Sequence, residues 1–170
     1  IPVARFETDR SQRRCLKRNA AVEARIAEPQ RSEENFALYR RYLEARHRGG
    51  GMDDPSAEDF ERFLACPWSP TQFLELREDG RLLGIAVTDR LPGALSAVYT
   101  FYDPAAGERG LGTLAILQQI AWAKREGLRH LYLGYWIPGH PKMDYKTRFQ
   151  PLELLGENGW SSSPAGAAPR

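Results

Sequence analysis

Cysteine is scarce in this chain. Cys15 and Cys66 are the only two, far apart and without metal-like spacing, so neither a disulfide framework nor a zinc site is expected. Each reads as a small buried apolar side chain. Histidine is nearly as rare, at His47, His130 and His140, and no Ser/His/Asp arrangement accompanies it. No apolar run is long enough to span a bilayer and no signal-peptide pattern is present, so the expected compartment is the cytoplasm, with no membrane partner. No internal repeat is visible. The chain opens at Ile1 rather than Met, which suggests a fragment of something longer.

What is present fits one domain. A length of 170 residues can bury a sizeable core but is short for two. The net charge of +2 is unevenly spread, because residues 1–48 hold 12 Lys or Arg against 7 Asp or Glu. The excess peaks at Arg10, Arg13, Arg14, Lys17 and Arg18. Such a cluster favours phosphate, each neutralised phosphate releasing condensed counterion. A solvated basic helix face is the plain alternative.

Capping signals predict three helices in the first half. Asp9 or Ser11 can start one that runs to Asn19. Ser32, followed by Glu33 and Glu34, starts a second, with Phe36, Tyr39 and Leu43 on one face. Ser56 with Asp59 makes a capping-box variant for a third, which would bury Phe60, Phe63 and Leu64 and end by Pro67. Between the last two, Gly49, Gly50 and Gly51 read as a flexible loop rather than a linker, since neither side is large enough to fold comfortably alone. Strands follow over 73–77, 82–89 and 95–102, turning at Asp79-Gly80 and Pro92-Gly93, as an antiparallel meander. A buried helix opens at 107–112, reaches about Glu126 and ends at Gly127. A right-handed crossover then returns the chain to a parallel strand at Leu131. The fold class is α+β (α/β), a mixed, mainly antiparallel sheet with flanking helices over 1–155. The Gly-, Ser- and Pro-rich tail 156–170 is expected to be disordered.

The stretch LYLGYWIPGHPKMDYKTRFQPLEL, residues 131–154, carries the densest chemistry. Its aromatic start, 131–136, reads as a central strand buried on both faces. Pro138, Gly139 and Pro141 break it, and Lys142, Tyr145, Lys146 and Arg148 then gather cations and a phenol around Met143 and Phe149. An ordinary charged turn packed by aromatics has the same pattern. Upstream, GERGLG (107–112) feeds a helix N-terminus and could cradle an anion. It lacks the Gly-Lys-Ser/Thr of a P-loop, and the antiparallel sheet before it excludes a Rossmann reading. It resembles the Arg/Gln-x-x-Gly-x-Gly pyrophosphate loop of GNAT acyltransferases, with Gly107 where a basic or amide residue is usual. In that fold the strands flanking the crossover splay, and donor and acceptor meet in the gap.

The stretches at 2–19, 58–89, 95–104 and 131–154 together resemble the aminoacyl-tRNA–protein transferases of the N-degron pathway. The bacterial branch, which transfers leucine to Asp or Glu, is the nearer, because His140-Pro141-Lys142-Met143 stands where eukaryotic members tend to have Cys-Pro-Lys-Met. The resemblance implies a GNAT-like fold and transfer of an amino acid from its tRNA to the α-amine of a protein beginning with Asp or Glu. The partners implied are aminoacyl-tRNA, Leu-tRNA before Arg-tRNA, and such acidic protein substrates. The family's cysteine-bearing N-terminal segment, which holds an iron–sulfur centre in some members, has no counterpart here, so no cofactor or metal is expected in these residues. Arginine transfer, a coenzyme A-dependent N-acetyltransferase and a non-catalytic tRNA-binding module remain as alternatives.

Roles follow as expectations. Asp103, Tyr135 and Tyr145 are the candidate catalytic groups, able to hold the amine or hydrogen-bond the ester carbonyl. Lys142, Lys146 and Arg148 are candidates for pairing with the acidic first side chain. Arg10, Arg13, Arg14 and Arg18 would carry the tRNA, its 3′ end reaching Arg109, Gly110 and Gly112, with Tyr99 or Trp122 stacking on the terminal base. His130 reads as structural and His140 as a turn residue.

Overall fold

The computed structural model describes residues 1–46, 55–64 and 69–162. The capping signals are realised. Helix α1 spans Arg10–Arg18, with Asp9 as N-cap accepting from Gln12 N at 2.7 Å while Gln12 Oε1 accepts from Asp9 N at 2.9 Å. Helix α2 spans Glu33–Arg46, where Ser32 Oγ accepts from Asn35 N at 3.1 Å. Helix α3 spans Ala57–Leu64 and opens on the Ser56–Asp59 capping box. The expected glycine loop at 49–51 and the stop at Pro67 lie outside the described residues.

The sheet has five strands in the order β1-β2-β3-β4-β5. They are β1 Glu23–Ala27, β2 Thr71–Glu78, β3 Arg81–Leu91, β4 Ala94–Tyr102 and β5 His130–Tyr132. The β2–β3 hairpin turns through Asp79 and Gly80, at φ +49° and +79°, the positive pair that a two-residue type I′ turn needs. Three antiparallel pairs are followed by one parallel pair, β4 with β5, bridged by helix α4 (Leu111–Arg125). Strand β1 has no counterpart in the expected meander.

The central strand is β3, not the 131–136 stretch. Leu82 to Thr88 are all buried, and their side chains divide between two cores. On one face Leu83 and Ala86 meet Leu114, Leu117 and Trp122 of α4. On the other, Leu82, Ile85 and Val87 meet Leu38, Tyr39, Leu43, Phe60 and Leu64 of α2 and α3. Phe63, expected in that stripe, is 46% exposed, its ring lying against Tyr99. Strand β5 is only three residues long. It ends because Gly134 takes φ +75°, which turns the chain away and leaves Tyr135 88% exposed. Residues 153–162, partly assigned to a disordered tail, form a hairpin of β6 (Glu153–Gly156) and β7 (Gly159–Ser162). The rest of that tail lies outside the described residues.

Candidate functional site

Strand β4 pairs with β5 only through Ala94–Ser96, yet it runs on to Tyr102. Over 97–102 its side toward β5 has no strand partner among the described residues, so the sheet opens there. Asp103 and a 3-10 turn (Pro104–Arg109) carry the chain to Gly110, whose φ of +73° starts α4 without any side-chain cap. A side chain at Gly112 would come within 3.6 Å of the Tyr102 ring, so the first turn of α4 lies against the end of β4.

This loop is bolted to α1. Buried Asn19 donates to Cys15 O at 2.9 Å and Arg109 O at 3.0 Å, and accepts from Arg109 Nε at 3.0 Å. Arg18 donates to Glu108 O at 2.5 Å. The exposed arginines 10, 13, 14 and 18 therefore sit on a helix in fixed relation to the start of α4.

Several expected roles meet prior commitments. Arg109 is not a free cation: its guanidinium forms a fork with Glu78 at 2.7 and 2.8 Å. Asp103 is 4% exposed, caps the 3-10 turn by accepting from Ala105 N at 3.0 Å, and is ion-paired with Arg81, so both oxygens are occupied. Trp122 is fully buried in α4 and cannot stack on a base. Tyr99 packs among Tyr39, Tyr42, Phe63 and Phe101, and burial pushes its phenol pKa up. Its hydroxyl has no hydrogen-bond partner among the described residues.

The 142–148 cations divide. Lys142 and Arg148 are exposed, whereas Lys146 turns inward, donates to the Tyr135 carbonyl, and has its pKa lowered by desolvation. His140 Nδ1 accepts from Lys142 N at 3.3 Å, and Trp136 Nε1 donates to Asp144 at 3.3 Å, which closes the turn on itself. Lys146 and residues 132–136 wall a cleft of about 1030 Å³, whose other side is Leu152–Gly156, Trp160 and Ser161. Its carboxylate, Glu153, is engaged by Arg5 at 2.5 Å and His130 at 3.2 Å. No residue of β4 or α4 lines this cleft, which instead follows β5 and the segment leaving it.

A further group at that opening escapes the sequence reading. Tyr42 and Tyr102 meet edge to face at 5.1 Å, and Arg46 lies 5.9 and 5.6 Å from their ring centres while donating to the Tyr102 hydroxyl. Tyr145 is close enough to act electrostatically on Tyr42. The i, i+4 spacing of Tyr42 and Arg46 was visible; its meeting with Tyr102 was not.

Among the described residues no three His, Cys, Asp or Glu side chains converge, and Cys15 is buried with its thiol pKa pushed up, chiefly by desolvation. No helix among them is long and apolar enough to cross a membrane.

Residues 34–156 match the family model described as "Arginine-tRNA-protein transferase, C terminus". The chain belongs to this family. Among its relatives, an aspartate/glutamate leucyltransferase of Stenotrophomonas maltophilia (strain K279a) is 58% identical over 166 residues, covering 94% of this chain and 66% of that protein. Another of that name, from Xanthomonas euvesicatoria pv. vesicatoria, is 55% identical, covering 99% and 69%. The chain thus spans about two thirds of the length of the curated relatives it matches. Solved structures share the fold at low identity. L-PGS from Bacillus licheniformis gives a TM-score of 0.63 at 14% identity, covering 95% of this chain and 56% of that one. A ribosomal-protein-alanine N-acetyltransferase from Brucella melitensis gives 0.55 at 20%, covering 84% and 96%. The arginine-tRNA-protein transferase C-terminal domain is therefore built here on an acetyltransferase-like α+β fold.

The Glu78–Arg109 fork makes one pH prediction. Its hydrogen bonds hold the Glu78 carboxyl below the ordinary 4.5. A carboxylate with a depressed folded pKa contributes stability that is present above its ordinary value and lost as pH falls through the lowered one. Urea midpoints between about pH 5 and 3 should therefore fall less steeply in Glu78→Gln than in the parent.

Proposed function

We propose that this chain carries the transfer domain of an aspartate/glutamate leucyltransferase, moving leucine from Leu-tRNA to the α-amine of proteins that begin with Asp or Glu and so marking them for degradation in the cytoplasm. The ammonium first loses a proton to solvent or a nearby acceptor, the freed amine nitrogen attacks the ester carbonyl, the bond to the tRNA 3′ oxygen breaks, and that oxygen takes the second proton released from nitrogen as the amide forms. An α-amine with a pKa near 7.7–8.0 costs only about 1 kcal/mol to deprotonate at pH 7. Positioning therefore outweighs basicity, and a free catalytic carboxylate is unnecessary. Tyr145, whose ring centre is 6.0 Å from the Lys146 ammonium that lines the cleft and which also acts electrostatically on Tyr42, is the better placed of the expected phenols to hydrogen-bond the reacting carbonyl. Exposed Arg10, Arg13, Arg14 and Arg18 offer the phosphate track that a tRNA requires.

The observation that carries leucine over arginine is the state of the apolar cleft. Leu133, Leu152, Leu154 and Leu155 line it, and Glu153 is already paired. An arginine donor would need an unpaired carboxylate, and leaving its guanidinium without one would be costly. Purified protein supplied with Leu-tRNA and Arg-tRNA side by side, with a peptide beginning with Asp, tests this. Labelled leucine should be incorporated in clear preference to arginine; equal or greater arginine incorporation overturns the donor assignment. A coenzyme A reading is disfavoured because Arg109, the cation beside the α4 N-terminus, is neutralised by Glu78.

A further inference from the structure

The acidic acceptor needs a cation that is both available and held in place. Lys146 is committed to the Tyr135 carbonyl, and Arg109 and Arg81 are committed to carboxylates. Arg46 differs. It is exposed at the end of α2, and among the described residues no carboxylate is paired with it. Yet it is not a free surface arginine, since two tyrosine rings and the Tyr102 hydroxyl hold the guanidinium. Tyr102 ends the part of β4 that runs past β5 and touches the first turn of α4, and Tyr42 is within electrostatic reach of Tyr145. Two elements, α2 and β4, thus hold one preorganised guanidinium at the end of the opening, with the start of α4 beside Tyr102.

Resting on the transferase reading above, we propose that Arg46, steadied by Tyr42 and Tyr102, is the residue that binds the side-chain carboxylate of the acceptor's first residue. A guanidinium fork presents paired N–H donors that match a carboxylate, and ordering it in advance lowers the entropy lost on binding. Aspartate and glutamate are then distinguished from asparagine and glutamine by charge, not by size. Lys142 and Arg148, which are exposed, form an outer attractive field.

Calorimetry of peptides beginning with Asp, Glu, Asn and Gln, without tRNA, tests this directly. The parent protein should bind the acidic peptides more tightly than their amides, and Arg46→Gln should remove that preference through a roughly ten- to hundredfold loss confined to the acidic pair. Arg46→Lys should retain part of it, because charge survives and the fork does not. In the transfer assay the same change should appear in KM for acidic peptides with kcat little altered. Acid-over-amide preference undiminished in Arg46→Gln overturns the inference, as does an equal loss for both peptide classes. Absence of any leucine transfer by the parent, with Arg46-dependent acid binding intact, overturns the transferase reading and leaves this one standing.

Discussion

Trp122→Ala is expected to lower the unfolding free energy by about 3–5 kcal/mol, the range for removing a large aromatic from a close-packed interior. The indole is fully buried in the last turn of α4, within the core that joins this helix to β3 and β4. Its Nε1 donates to Glu126 at 2.7 Å, so the substitution also removes one of two donors from a carboxylate at the helix end, the other being Arg90. The missing volume cannot collapse easily, because Leu114, Leu117 and Ala123 on the same helix are themselves packed against the sheet. Urea unfolding followed by circular dichroism measures the effect. A change below about 1 kcal/mol would mean that the ring is not part of the core and would revive a base-stacking role.

Lys146→Glu should reduce leucine transfer to an Asp-initiated peptide by roughly a hundredfold, the scale of losing a charge-assisted hydrogen bond and adding repulsion in its place. Lys146 fastens the 142–148 turn to the segment that leaves β5, because its ammonium donates to the Tyr135 carbonyl. A carboxylate there would face that carbonyl oxygen and spring the two segments apart. Lys142→Glu, at an exposed position without such a tie, should alter transfer only a few-fold. Lys146→Met separates tether from charge: a loss nearly as large identifies the hydrogen bond as the important element. Since desolvation lowers the Lys146 pKa, its charge, and any activity that depends on it, should be lost on the alkaline side before an ordinary lysine would lose its own. Full activity in Lys146→Glu would remove this turn from the site.

The helices and the β2–β3 hairpin were legible because their signals are local. Asp9, Ser32 and Ser56 each satisfy backbone donors within three residues of themselves, and Asp79-Gly80 adopts its turn conformation whatever surrounds it. Strand β1 was not legible. EARIA pairs on only one side, and with Glu23 and Ile26 exposed it lacks clean alternation. The β6–β7 hairpin turns through Glu157-Asn158 into Gly159 at φ +94°, a turn signal that the Gly- and Ser-rich composition of the tail obscured. The 131–136 stretch misled because aromatic content suggests burial, whereas its rings line an open cleft beyond a three-residue strand. At the site, residue types could be chosen from sequence but their availability could not. Glu78, Arg81 and Asn19 lie distant in sequence from the groups they engage. The Arg46 group was missed for the same reason, since one of its two rings belongs to a different element.

The tryptophans among the described residues form two kinds of optical reporter. Trp122, sealed in the interior, should emit at short wavelength and shift only when the fold is lost. Trp136 and the 56% exposed Trp160 both line the cleft, and a leucyl side chain bound there, as proposed, would exclude water from them. Donor loading should therefore be visible as a blue shift in emission from these two rings, without any label on protein or tRNA.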